Sequence, residues 1–251
     1  MLETALNSQP GETPPLSGAI SSSVFPEHNR LNSWREHFGE QFLRLQINSL
    51  YDEPFRYDAS FTMMQGLHVS RGSVSAIRCT RTRDLIDDSN DDMVILIPQR
   101  GMMRVMEGGK EMTIGSGDAP VRRPSEVGQT LSTGGEYLTM SVPHSALAGQ
   151  VLDIDRLGFA IVPEGNTALG LLASYLNAIL ASNIRENGQG PDLAASILAA
   201  RHVHELTGLV LDSSRDNWYR LDTVGSGIQE ARMPYIRSEI DRHAGDPDFS
   251  I

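Results

Sequence analysis

Cys79 is the only cysteine and Lys110 the only lysine in 251 residues. A single thiol excludes an intrachain disulfide framework and any multi-cysteine zinc site, leaving Cys79 as a small buried or half-buried side chain. Basic charge is scarce: 21 Lys and Arg stand against 32 Asp and Glu, for a formal net charge of −11. Affinity for phosphates comes from clustered cations, so these residues do not grip a nucleic acid by themselves. The arginines that do cluster, Arg78, Arg81 and Arg83, run straight into Asp84, Asp87, Asp88, Asp91 and Asp92, which reads as a solvated turn. No stretch approaches the ~18 consecutive apolar residues of a membrane helix. The first residues have neither the basic flank nor the apolar segment of a signal peptide, so the expected location is the cytoplasm, away from any membrane.

Catalytic signatures are also missing. There is no Gly-x-Ser-x-Gly elbow and no phosphate-cradling glycine loop followed by Lys and Ser or Thr. Histidines stand at 28, 37, 68, 144, 202, 204 and 243, and only His68 falls among expected strands. His202 and His204, two apart on an expected helix, point to nearly opposite sides and not onto one metal. Asp91 and Asp92 are consecutive acids in a polar turn, where solvation is their usual fate. The expectation is a protein with no metal or other cofactor and no catalytic residues, hence not an enzyme.

What the chain does contain is a succession of patterned segments. Residues 1–24, rich in Pro, Gly and Ser, read as a disordered lead-in. Leu31, Trp34, Phe38 and Phe42 then recur at the period of one helical face. From Leu43 to about residue 142, short aromatic and β-branched runs broken by turn residues predict an antiparallel β-domain. Met93–Ile97 is a continuous apolar run suited to a strand covered on both faces. Met102–Met106 and Lys110–Ile114 flank Gly108-Gly109, the chemistry of a tight hairpin, and Gly115-Ser116-Gly117-Asp118 forms the next turn.

Beyond Pro143 the pattern turns helical: His144–Val151, then Thr167–Ala181 with Thr167 as N-cap, then about Asp192–Leu211. Leu169, Leu172, Tyr175, Leu176 and Ile179 line one side of the middle helix, either packing on the β-domain or pairing two subunits. A polar stretch reads as a linker. Met233, Ile236 and Ile240 then start a last helix ending near Gly245, and Ser250 stands where another helix would be capped.

Several segments, in this order, resemble the N-terminal regulatory region of AraC/XylS-type transcription regulators. They are Phe25-Pro26, Trp34-Arg35-Glu36-His37-Phe38-Gly39, Arg81-Thr82-Arg83-Asp84-Leu85, Gly115-Ser116-Gly117-Asp118 and Val142-Pro143-His144-Ser145-Ala146-Leu147. Ile236–Ile251 is similar to the first helix of that family's DNA-binding domain. The resemblance implies an α+β fold, an antiparallel cupin-like β-barrel followed by a helical hairpin and the first helix of a truncated helix-turn-helix domain. The implied boundaries are 1–24 for the lead-in, 25–150 for an effector-sensing barrel, 151–212 for helical dimerisation, 213–228 for a linker and 229–251 for the start of the DNA-binding domain. The implied partners are a small organic effector, a second copy of the chain, and promoter DNA reached only through residues beyond Ile251.

Candidate effector contacts come from strand geometry. Met102, Arg104 and Met106 share one face; turned inward, they would supply two flexible apolar walls and a cation for an acidic or carbonyl-bearing effector. Turned outward, Arg104 escapes the cost of burying an unpaired charge. Arg78 and Arg81 are further candidates of the same kind, and Trp34 could cover a pocket mouth. Two rival functions are a stand-alone cupin-like enzyme and a regulator that lacks DNA binding and acts through mixed dimers.

Overall fold

The computed structural model describes residues 16–39, 45–85, 92–107, 110–122, 127–154, 157, 159–183 and 193–215. The expected linker beyond Arg215 and the last helix, with Ile236, Ile240 and Ser250, lie outside them.

Alternation of apolar and polar residues builds two antiparallel sheets. The larger has the order β1 (Leu16–Ser21), β3 (Tyr57–Met64), β4 (Leu67–Val74), β11 (Gly135–Pro143), β6 (Asp92–Pro98), β9 (Ala119–Arg122) and β12 (Phe159–Val162). The smaller has the order β2 (Gln46–Ser49), β5 (Ile77–Arg81), β10 (Gly128–Ser132), β7 (Met103–Glu107) and β8 (Lys110–Ile114). The expected hairpin is β7–β8, with Glu107 opposite Lys110; Gly108-Gly109 lie outside the described residues. In β6, Met93, Ile95 and Ile97 are buried on one face while Val94 and Leu96 are half-buried on the other.

Three expectations are corrected here. Residues 16–21 are not a loose lead-in: they pair with β3 along their whole length, Leu16 opposite Met63 and Ser21 opposite Asp58. Long-range pairing overrides the weak local signal of a Gly- and Ser-containing strand. The expected helix at 30–42 is a short α1 (Arg30–Trp34) continuing as a π-helical turn through Gly39. The region after 151 is not purely helical, because β12 returns to pair with β9.

The helices are α2 (His144–Leu147), α3 (Thr167–Asn183) and α4 (Leu193–Ser213). Asn166, not Thr167, caps α3, its Oδ1 accepting from Leu169 N at 2.9 Å. Its Nδ2 donates to Ser213 Oγ at 3.0 Å, tying the start of α3 to the end of α4. Ser213 and Ser214, read as linker, thus belong to the end of α4, where Ser214 Oγ donates to Val210 O.

The main core lies between the outer face of the large sheet and the helix pair, joining Val69, Ile95, Met140 and Val121 to Leu172, Leu176, Val203 and Leu211. Leu169, Leu172, Leu176 and Ile179, offered above as a subunit-pairing face, are therefore buried within one protomer, and Tyr175 is half-buried with its hydroxyl 2.9 Å from His202 Nδ1 on α4. Asp118, buried at the end of the expected Gly-Ser-Gly-Asp turn, accepts from Gly115 N and from Glu164 N at 3.2 and 3.0 Å, binding that turn to the one before α3.

Candidate functional site: the barrel interior

Neighbouring rows across the large sheet have opposite fates. One row, Thr62, Val69, Met140, Ile95, Val121 and Ala160 in register, faces the helices and is sealed, with Val69, Ile95, Val121 and Ala160 at 0% exposure. The next row, Met63, His68, Ser141, Val94 and Arg122, faces the small sheet and is half-buried throughout. Tyr57, Leu96, Tyr137 and Thr139 continue that inner face, also half-buried. Opposite them the small sheet presents Cys79, Thr130, Val105 and Met112 in one register row, with Val105 buried and the others half-buried.

Burial raises the Tyr57 and Tyr137 phenols, pushes the Cys79 thiol up to about 11 and pulls His68 down to about 4. These desolvated groups lie between the sheets together with the buried Val105 and Ile114. His68 is accordingly neutral at pH 7, its ring 6.4 Å from that of Phe61.

Polarity is uneven along this space. At one end Trp34 is wholly buried, its ring 4.3 Å from Tyr57 and 5.9 Å from Phe55, in a cluster with Ile47 and Ile77. Tyr57 in turn meets Tyr137 at 6.1 Å between ring centroids, and the buried Tyr137 Oη has no hydrogen-bond partner. Further along, the charge of Arg122 on the large sheet opposes the rise in the thiol pKa of Cys79 on the small sheet. Ser141 Oγ donates to Asp92 Oδ2 at 2.7 Å near that end.

The sequence-derived candidates divide accordingly. Arg104 is on the outer face of the small sheet, paired with Glu111 at 3.1 Å and 42% exposed. Met106 shares that outer face, and Met102 precedes the strand with its N donating to Thr133 Oγ1. The inward trio is therefore corrected: burial of Val105 and Ile114 fixes the alternation and turns Met103, Val105 and Met112 inward instead. Arg78 is exposed on the outer face, whereas Arg81 is buried and shares the inner face with Cys79. Trp34 is a plug within the fold and not a lid over a mouth. Arg122, Tyr57 and Tyr137 were not singled out from the sequence; the available signal was the Ala119, Val121 alternation, which leaves Arg122 out of phase with the core.

The comparisons with known proteins agree with this architecture. Residues 34–212 match the sequence profile of the AraC-binding-like domain. This chain belongs to the AraC-binding-like domain family. Its nearest fold description is a cupin-like α+β arrangement, and the crystal structure of the AraC-like transcriptional activator CuxR superposes with a TM-score of 0.64 at 13% identity, over 78% of this chain and 70% of that one. A cupin 2 conserved barrel domain protein from Salinispora arenicola aligns over 40% of this chain and 77% of its own, at 12% identity and a TM-score of 0.26. No curated protein matches the sequence. Among the described helices of this AraC-binding-like protein, none is long and apolar enough to cross a membrane.

Proposed function

We propose that this AraC-binding-like chain is the effector-sensing part of an AraC-type transcription regulator of the cytoplasm. A small organic molecule occupies the space between the sheets, and its presence biases how the α3–α4 hairpin joins two protomers. DNA readout is the task of a helix-turn-helix domain, to whose beginning Ile236–Ile251 are similar in sequence. Support for that last step is the similarity of those residues to the family's DNA-binding start.

One observation carries the sensing role: the large sheet is sealed by the helices on one face and presents a half-buried row of Met63, His68, Ser141, Val94 and Arg122 on the other. An effector changes the equilibrium between two dimer arrangements only through unequal affinity for them, and couplings of this kind are about 1–3 kcal/mol. The protein performs no chemistry on its ligand. Among the described residues no group of three His, Cys, Asp or Glu side chains is placed to hold a metal. Turnover of a bound molecule by the purified chain would argue for the enzyme reading instead.

Filling the space tests the reading. Leu96 projects inward from β6 and is half-buried, so Leu96→Phe should fold with a melting temperature close to the parent's and abolish the response of the intact regulator to its effector. In a close-packed interior the same change would cost about 1–3 kcal/mol by overpacking, and that loss of stability would count against a binding space.

A further inference from the structure

Resting on the reading that the α3–α4 hairpin joins two protomers, we infer that the joining surface is the outward row of α4, set antiparallel against the same row of a second copy, with Arg201 of each protomer against the partner's Glu205. Val203, Thr207, Val210 and Leu211 bury one side of α4. Helical geometry thereby fixes what the other side carries: Ile197, Arg201, Glu205 and Leu209 at intervals of four, which form one ridge along the helix surface. All four are exposed, Ile197 by 50% and Leu209 by 57%, and Leu198 stands exposed beside the row. Large apolar side chains so concentrated on one helix face mark a contact surface more than a solvated one. The outward side of α3 offers less, with Leu171 among Ser174 and Ala178.

The order of the row decides which partner fits it. Read from either end it runs apolar, charged, charged, apolar, and the two charges are opposite. A two-fold axis passing between Arg201 and Glu205 therefore sets Ile197 against the partner's Leu209 and Arg201 against the partner's Glu205, and each contact occurs twice. Ridges of this i, i+4 kind lie alongside one another in the commonest class of helix packing. A parallel pairing of the same row would set arginine on arginine and glutamate on glutamate.

The charges are available for such a contact. Within one chain Arg201 and Glu205 approach only to 4.0 Å, with side chains 66% and 60% exposed, so the pair consumes neither group. A chain with a net charge of −11 repels its own copies. This row is locally neutral, and Asp212, just beyond its end, is paired with Arg215 at 2.7 Å.

Sedimentation equilibrium of the full chain would compare the parent with Arg201→Glu, with Glu205→Arg and with an equimolar mixture of the two. Each variant alone meets like charge at both contacts, and its dimer should be weakened about tenfold or more. In the mixture the acids of one variant face the arginines of the other, so association should return to the parent's level as heterodimers. Register is read independently of these variants by oxidation: Ile197→Cys mixed with Leu209→Cys should give a covalent dimer, whereas neither alone, nor the parent with Cys79, should. Reversals without effect, a mixture no more associated than its components, or a covalent dimer from either cysteine variant alone would overturn the pairing. If Leu209→Glu still dissociated the parent dimer, the hairpin would remain the joining element in another register. A parent dimer that none of these substitutions touches, or a monomeric parent, would remove the hairpin reading as well; reversals that then lowered the melting temperature of the monomer would show the row covered within one chain.

Discussion

His68 shows how one buried side chain ties stability to pH. Its folded pKa of about 4 lies below the ordinary 6.5 because burial penalises the imidazolium. Between those values the unfolded chain binds the proton and the folded chain does not. Stability is therefore full above pH 6.5, falls as the pH drops toward 4, and stops falling from this source below that, with a total of about 3 kcal/mol. Equilibrium urea unfolding at pH 7 and pH 4.5 should show the loss in the parent and a much smaller one in His68→Gln; equal losses in both would place the acid sensitivity elsewhere. His204 on α4 is shifted the same way by burial and adds to the trend. Neither effect was legible in the sequence, since only register places His68 opposite Ser141 on the inner face.

At the scale of elements, periodicity carried the prediction where one side of an element is sealed. The β7–β8 hairpin and the α3 and α4 helices follow from apolar spacing, because each buries a face whose residues recur at the period of the element. What periodicity could not decide is which partner a face meets. Leu172 and Leu176 fit equally a subunit contact or an intramolecular sheet, and the sheet takes them. The inner strand faces were harder to read still, since a half-buried mixture of Tyr, Thr, Ser and Arg resembles a solvent-facing side; Arg104 on the outer face and Arg122 on the inner face are indistinguishable by residue type. The inner side of α3 is buried, while α4 leaves an apolar stripe exposed, where Leu193, Ile197 and Leu209 recur around the Arg201–Glu205 pair. Leu209 is 57% exposed, so Leu209→Glu should leave the monomer fold intact. Sedimentation should then find it shifted toward monomer if this stripe is the pairing surface, and unchanged if it is not.

The molecule as a whole concentrates its cohesion on one side of its larger sheet. Helices and strands share a continuous core there, while a smaller separate cluster gathers around Trp34. Such a division places the half-buried face and the helix-facing core on opposite sides of the same strands. Val94 and Val121 measure the division directly, for they sit on neighbouring strands with identical side chains facing opposite ways. Val121 has no exposed surface and lies in the helix–sheet core, whereas Val94 is half-buried beside Arg122. Truncating the first leaves a cavity among tightly packed neighbours, at about 2–3 kcal/mol; truncating the second enlarges a space already present, at less than about 1 kcal/mol. Denaturant unfolding of Val121→Ala and Val94→Ala would read both values, and similar costs at the two positions would mean that the interior is packed like the core and holds no ligand.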